Sequence, residues 1–157
     1  MSERRRASSI LLDDTAKAII AELQQDGRRS YAAIGKAVGL SEAAVRARVG
    51  RLTEAGVMDV VAVTDPLELG FARQAMVGVR VSGDAEPVAE RLAEMTEVSY
   101  VVVTAGSFDL LVEVVCRSDD HLLEVVHRQI RSVPSVVATE TFVYLKLAKQ
   151  TYSWGVS

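Results

Sequence analysis

The sequence predicts an α+β protein in which a small helical domain precedes a domain built on an antiparallel sheet. Two observations predict this class. Apolar residues recur at helical spacing in three short segments between residues 12 and 55. From Phe71 onward, strand and helix patterns follow one another in the order β-α-β-β-α-β. The first pattern indicates a helix bundle, and the second indicates a sheet with two helices.

Composition and charge support this division. The chain has 157 residues, of which 49% are hydrophobic and 25% charged, so it is expected to fold. Its one cysteine excludes an internal disulfide, and the absence of a long apolar run or a secretion signal predicts a cytoplasmic protein. Residues 1–64 carry 10 Lys+Arg against 8 Asp+Glu (+2), and residues 65–157 carry 8 against 13 (−5), which together give the net charge of −3. Only the first part is therefore expected to meet a polyanion.

Each of the three helices has a start and a stop signal. The expected N-caps and terminating glycines, in chain order, are Asp13 or Asp14 with Gly27, Ser30 with Gly39, and Ser41 with Gly56. The expected buried residues are Leu12, Ala16, Ile19, Ile20 and Leu23 in the first helix, Ile34, Ala37 and Val38 in the second, and Val45, Val49 and Leu52 in the third.

The second and third helices have the spacing of a helix-turn-helix, in which Gly39 permits the tight turn. The outward face of the third helix then carries small residues flanked by arginines, with Arg48 nearer the core edge. Small residues let this face enter the major groove, where arginines reach base edges or phosphates. The residues expected to contact DNA are Ser30, Ser41, Ala43, Arg46, Ala47, Arg48, Gly50 and Arg51. The spacing alone leaves open a three-helix packing unit with a solvated basic face.

The pattern of residues in the rest of the chain predicts a short strand followed by a ferredoxin-like domain. The expected elements are a strand over 57–64, a strand over 71–81, a helix over 84–95, strands over 98–104 and 108–116, a helix from 118 to just before Pro134, and a strand over 136–147. This order predicts a four-stranded antiparallel sheet with both helices on one face. Because two helices leave the other apolar face open, we expect two sheets to pack together in a dimer.

A turn between two of these strands has the composition of a ligand site. Gly106 lets a ligand approach the backbone closely. Asp109, with Thr104, Ser107, Thr139 and Thr141, offers the acceptors and hydroxyls that would hold an α-amino group and a carboxylate. The alternative interpretation is that Gly106 only makes the hairpin and Asp109 only caps its backbone.

Several motifs in a fixed order resemble the Lrp/AsnC (feast/famine) family of transcriptional regulators over about residues 11–150. They are Leu12-Asp13-Asp14, Leu23-Gln24-Gln25-Asp26-Gly27-Arg28, Gly39-Leu40-Ser41, Arg48-Val49-Gly50-Arg51-Leu52, Gly56-Val57-Met58, Thr104-Ala105-Gly106-Ser107-Phe108-Asp109-Leu110, Ser132-Val133-Pro134-Ser135-Val136 and Thr139-Glu140-Thr141. The resemblance implies a winged-type helix-turn-helix domain over 1–56 and a strand linker over 57–70. Within the first of these, Arg4-Arg5-Arg6 indicates either a flexible basic arm over 1–10 that adds phosphate contacts or a solubilising tail. The resemblance implies an effector-binding RAM (regulation of amino-acid metabolism) domain over 71–157 that forms a dimeric α+β barrel.

The resemblance also implies a function and its partners. It implies a DNA-binding transcriptional regulator whose assembly or operator binding responds to a small effector, usually an amino acid, bound at the element Gly106 and Asp109. The full set of expected effector residues is Tyr100, Thr104, Gly106, Ser107, Asp109, Thr139 and Thr141. The expected partners are a double-stranded operator and further copies of the chain, as a dimer and then a tetramer or octamer. Gly50 and Ala47 depart from the family, which often has basic residues there.

Two other functions stay open at this point. One is an amino-acid-sensing oligomeric module that does not bind DNA. The other is a ferredoxin-like dimeric enzyme, for which Glu113 is the lone carboxylate candidate among the strand positions that point into the barrel. His121 and His127 are six residues apart on one helix and cannot pair as metal ligands. No nucleotide, zinc or nucleophile motif occurs in the sequence, so we expect no enzyme, metal or cofactor.

Overall fold

The computed structural model describes residues 12–151 and residue 155, and these form two compact units. The helical unit contains the described residues up to Val63 together with residues 149–151 and residue 155. The sheet unit runs from Thr64 to Ala148. Among the described residues, no helix has both the length and the apolar character needed to cross a bilayer. The expected basic arm over 1–10 lies outside the described residues.

Three helices make up the helical unit: α1 (Asp14–Gln25), α2 (Tyr31–Val38) and α3 (Glu42–Glu54). Each begins at a side-chain cap that the sequence predicted, because an oxygen of each cap accepts a backbone N–H that the first helical turn leaves unpaired. The caps accept from the N–H three residues on: Asp13 from Ala16 at 2.7 Å, Ser30 from Ala33 at 3.2 Å and Ser41 from Ala44 at 3.2 Å. Gly39 ends α2 in the left-handed conformation, with φ 74°.

The core of this unit contains the predicted residues of α1 and α3 but not all of those of α2. Ile19, Ile34 and Val45 are fully buried, and Val49 and Leu52 are nearly so. In α2 the prediction for Ala37 is wrong, since its side chain is exposed. The neighbouring face of α2, with Ile34 and Gly35, turns inward instead, because α2 packs closely against the turn that follows it.

The predicted strand over 57–64 does not form, and residues 57–70 contain no strand. The apolar residues of this linker are largely exposed, as Val61 at 71% illustrates. An alternating apolar sequence favours extended backbone, but a strand also requires a hydrogen-bonded neighbour, and residues 57–70 pair with none of the described strands. The helix-turn-helix consequently has no β wing between α3 and the first strand of the sheet.

The sheet unit has the predicted topology. Its elements are β1 (Arg73–Val81), α4 (Glu86–Ala93), β2 (Val98–Val103), β3 (Leu110–Cys116), α5 (Asp119–Glu124) and β4 (Val136–Val143). All strand pairs are antiparallel and the spatial order is β2-β3-β1-β4. Alternate residues of the two central strands are fully buried with the helices: Ala75, Val77 and Val79 in β1, and Leu110, Val112, Val114 and Cys116 in β3. The predicted α+β class and the single helical layer are confirmed.

The second helix of this unit is less regular than predicted. After α5 the chain continues through a π-helical turn (Val125–Gln129) and a short 3₁₀ turn (Ile130–Ser132) before Pro134. This irregular winding keeps Val125, Val126 and Ile130 buried together. The last strand ends at Val143 rather than at residue 147: its last register partner in β1 is Ala75, and the Tyr144 N–H adds one further bond to the Gln74 carbonyl at 2.9 Å.

Candidate functional site

The outward face of α3 is the first candidate site. Ala43 and Ala47 are exposed on it, and Gly50 is half-buried with nothing within 4 Å of the position that a Cβ would take. Burial of Val45, Val49 and Leu52 on the opposite side fixes which face points outward. The structure therefore brings the predicted small residues into one stripe that a groove could approach.

The three arginines of α3 differ in the side chains that they contact. Arg48 Nη1 donates to both carboxylate oxygens of Asp13, at 2.7 and 3.0 Å. This pair holds the pKa of the Asp13 carboxyl below its usual value, and the bond from the Ala16 N–H acts in the same direction. Arg48 thus connects α3 to the N-cap of α1, which accounts for its place near the core edge.

Arg46 and Arg51 remain at the surface. Arg46 Nη2 donates to Glu42 Oε1 at 2.7 Å, and its guanidinium lies 5.2 Å from the centre of the Tyr31 ring. Arg51 forms no ion pair with any residue that the structure describes. Ser30 and Ser41 use their hydroxyl oxygens as helix caps. Of the expected DNA contacts, Arg51 is thus the cation least engaged within the chain.

Gly35 is a residue that the sequence analysis missed. A Cβ at this position would lie 2.5 Å from the carbonyl oxygen of Leu40, which is backbone and cannot swing aside. Glycine is unfavourable inside a helix, so its presence within α2 is a signal of close packing that could have been noticed. The close approach of α2 to the Gly39–Ser41 turn depends on it.

The second candidate site is the turn between β2 and β3. Here Asp109 Oδ2 accepts from the Val81 N–H at 2.8 Å, and Thr104 Oγ1 donates to the Phe108 carbonyl at 2.6 Å. Both side chains therefore brace the hairpin and the end of β1, as the alternative interpretation of the turn expected. Asp109 Oδ1 accepts no hydrogen bond from the described residues. Gly106 is exposed, with open space where a Cβ would be.

The expected effector residues do not all meet within one chain. Thr104, Gly106, Ser107 and Asp109 lie together in the turn. Thr139 and Thr141 lie on β4, opposite Val79 and Val77 of β1, and so on the helix-covered face of the sheet. Tyr100 is opposite Glu113 and lies on the other face.

That other face is open and largely apolar. The pairing registers place on it a set of apolar side chains from all four strands: Met76, Tyr100, Val102, Leu111, Val115 and Phe142. Tyr100 and Phe142 are 46% and 45% exposed. Near its rim, the Phe108 ring covers Gly78 and meets Phe142 edge-on at 6.1 Å between centroids. The sheet of a single chain therefore leaves much apolar area in water.

A polar cluster interrupts the open face at Glu113. Tyr144 Oη donates to Glu113 Oε1 at 3.0 Å, and Ser99 Oγ donates to Oε2 at 2.7 Å. Burial and the adjacent Glu113 carboxylate raise the pKa of Tyr144 to about 12. Both oxygens of the one carboxylate considered for catalysis are therefore engaged in holding neighbouring side chains.

We expect one of the four tyrosines to ionise at an unusually high pH. Ultraviolet titration should show a step with a pKa of about 12 that disappears in Tyr144→Phe. Glu113→Gln should lower that pKa only part of the way, because burial is the larger cause. Since the folded pKa lies above the unfolded value, the contribution of Tyr144 to stability is complete below about pH 10 and is lost as the pH rises toward 12. A wild-type titration without this high-pH step would contradict the described contact.

Two family models match the two units of the chain. The AsnC-type helix-turn-helix domain matches residues 12–53, and the C-terminal dimeric alpha+beta barrel domain matches residues 71–157. The chain is also similar to the HTH-type transcriptional regulator FL11 of Pyrococcus horikoshii, with 34% identity over 142 residues that cover 89% of this chain and 93% of that protein. The chain belongs to the Lrp/AsnC family of transcriptional regulators.

Solved structures of Lrp/AsnC regulators have the same fold. The leucine response regulatory protein LrpA of Mycobacterium tuberculosis matches with a TM-score of 0.83 and 26% identity, over 92% of this chain and 100% of that one. The regulator NMB0573 of Neisseria meningitidis, in complex with L-Met, matches with a TM-score of 0.78 and 25% identity, over 90% of this chain and 95% of that one. The predicted family and fold class are thus confirmed.

Proposed function

We propose that the chain is a sequence-specific DNA-binding transcriptional regulator whose operator binding or assembly responds to an amino-acid effector. The observation that carries this proposal is the outward face of α3, where small residues are flanked by arginines in a helix-turn-helix of AsnC type. In such motifs the recognition helix lies in the major groove, and two copies in a dimer read half-sites about one helical turn apart or a multiple of it.

Arg51→Ala should weaken operator binding at every sequence and make it less sensitive to salt. Arg51 lies in the last turn of α3 and forms no ion pair with a described residue, so its charge is available to neutralise a phosphate. Loss of one phosphate contact should lower the slope of log affinity against log salt by about 1. A gel-shift titration at several salt concentrations measures this slope.

Arg91→Ala is the matched control, because it removes an exposed arginine from α4 of the sheet unit. It should leave both affinity and slope unchanged. If Arg51→Ala behaves like this control, α3 does not lie on DNA as proposed. If the wild-type chain has no affinity for DNA even at low salt, the DNA-free sensing module becomes the better explanation.

The open sheet face supports the self-association part of the proposal. The family model that matches this unit is described as a dimeric barrel. Packing against a second sheet would remove the apolar side chains of the open face from water. We place the sheet-to-sheet contact of a homodimer there. The size of any larger assembly, tetramer or octamer, is read directly from the mass in solution.

The effector part of the proposal rests on the turn at Gly106. This turn offers an open approach at Gly106 and the Oδ1 oxygen of Asp109, which accepts no bond from the described residues and could accept from an ammonium group. The relative NMB0573 was solved in complex with L-Met. Thr139 and Thr141 lie on the helix-covered face of β4 and Tyr100 lies further along β2 on the open face, so we propose that these residues join the site across a contact between copies.

Light scattering and melting curves with each of the twenty amino acids test the effector proposal. A change in mass or melting temperature with one or a few of them is expected, and Asp109→Asn should reduce it. A wild-type protein that responds to none of the twenty would contradict an amino-acid effector. No observation favours the enzyme alternative, since both oxygens of Glu113 are engaged and the relatives are named as transcriptional regulators.

A further inference from the structure

An exposed carboxylate stands on the helix that we place on DNA. Glu42 is in the first turn of α3, and its side chain is 52% exposed. A carboxylate is favourable at the positive end of a helix, but it repels the phosphates that surround a recognition helix. The one kind of groove atom that it suits is a hydrogen-bond donor on a base edge.

Glu42 is coupled to Arg46, one helical turn further on. The hydrogen bond of 2.7 Å between them and the Tyr31 ring beneath the guanidinium hold Arg46 at the surface, where it is 64% exposed. An arginine has five N–H donors, so most of them remain available for a further partner. The exposed small side chains of Ala43 and Ala47 lie beside the pair and leave room for a groove.

The remaining arginines of α3 are placed differently. Arg48 is tied to Asp13, and Arg51 lies in the last turn of the helix. The N-terminal half of a recognition helix is the part that reaches base edges. The charged side chains on that half of α3 are Glu42 and Arg46.

We propose that Glu42 and Arg46 act as one unit that reads a guanine and a cytosine within one base-pair step of each other. Arg46 donates to O6 and N7 of the guanine, and Glu42 accepts from the N4 amino group of the cytosine. This inference rests on the proposed DNA-binding function and adds the chemistry that it recognises. Glu42 also disfavours random DNA, because a carboxylate left without a base donor faces phosphates.

Selection of bound DNA duplexes from a random-sequence library at fixed salt tests whether Glu42 and Arg46 recognise these two bases. The wild-type chain should select half-sites that contain the guanine and the nearby cytosine. Glu42→Gln should reduce the preference for the cytosine by about 5- to 100-fold. It should leave the preference for the guanine unchanged and raise the affinity for random DNA. Arg46→Ala should lose the guanine preference. The matched control is Glu54→Gln, which removes an exposed carboxylate from the far end of the same helix and should select wild-type sites.

The outcomes separate this inference from the function on which it rests. If the wild-type chain and Glu42→Gln select the same bases with the same preferences, the proposed recognition by Glu42 and Arg46 is wrong, but the proposed DNA-binding function is not affected. If the wild-type chain enriches no sequence at all, the proposed function fails, and the inference fails with it. Far-ultraviolet circular dichroism of each variant confirms that α3 is still folded in the proteins being compared.

Discussion

Gly35→Ala should strongly destabilise the helical unit and abolish DNA binding. The added Cβ would lie 2.5 Å from the Leu40 carbonyl oxygen, and that oxygen belongs to the turn between α2 and α3. Overpacking a tight site typically costs about 1–3 kcal/mol, and a backbone neighbour cannot relieve it by a rotamer change. We expect a cost at the upper end of this range, measured as a loss of stability in urea unfolding followed by helical circular dichroism.

Gly50→Ala is the opposing control, because it makes the same substitution on the neighbouring helix. No atom lies within 4 Å of the added Cβ at that position. Removing a glycine from a helix interior should stabilise the unit by about 0.5–1 kcal/mol. If Gly35→Ala and Gly50→Ala change the free energy of unfolding in the same direction, the close contact with the Leu40 carbonyl is not the reason that a glycine is needed at position 35.

Leu111→Asp should convert the proposed dimer into a monomer. Leu111 lies on the central strand β3, on the open face, between Gly78 of β1 and Val102 of β2. If a second sheet covers this face, the new carboxylate is buried without a partner, which costs several kcal/mol. In a single chain the same carboxylate stays at a surface and remains hydrated, so the fold should persist. Light scattering coupled to size exclusion measures the change in mass.

Two further variants make this result specific. Leu123→Asp places the same charge on an exposed leucine of α5 and should leave the mass unchanged. Phe142→Asp changes the open face at an edge strand, where the side chain is already 45% exposed, and should also weaken the dimer. A dimer that tolerates Leu111→Asp and Phe142→Asp would exclude this face as the contact between copies.

Local signals in the sequence were sufficient for most of the fold. The caps at Asp13, Ser30 and Ser41 formed as predicted, because capping requires only a side chain and a backbone N–H three residues away. The apolar residues Ala75, Val77 and Val79, which alternate along β1, are all fully buried, since the period of a strand assigns every second side chain to one face. The order of the motifs was sufficient to predict the family.

The candidate site was predictable only in part. The outward face of α3 follows from the helical period, so its small residues and arginines could be named in advance. The partners of those arginines could not be named, since Asp13 is 35 positions away from Arg48 along the chain. The effector residues show the same limit: neighbours in the turn stay together, whereas Tyr100 and Thr141 fall on opposite faces of the sheet.

By itself the sequence determined the positions of the helices and most of the strands, the buried side of α1 and α3, the family, and the residues that face outward on α3. These depend on caps, turns and periodicity, which act over a few neighbouring residues. Only the tertiary structure decided that the linker stays unpaired, that Gly35 must be a glycine, that Arg48 anchors α3 to α1, and that Asp109 braces β1. Each of these depends on which distant backbone or side chain comes within a few ångströms, and the local pattern of a sequence does not contain that distance.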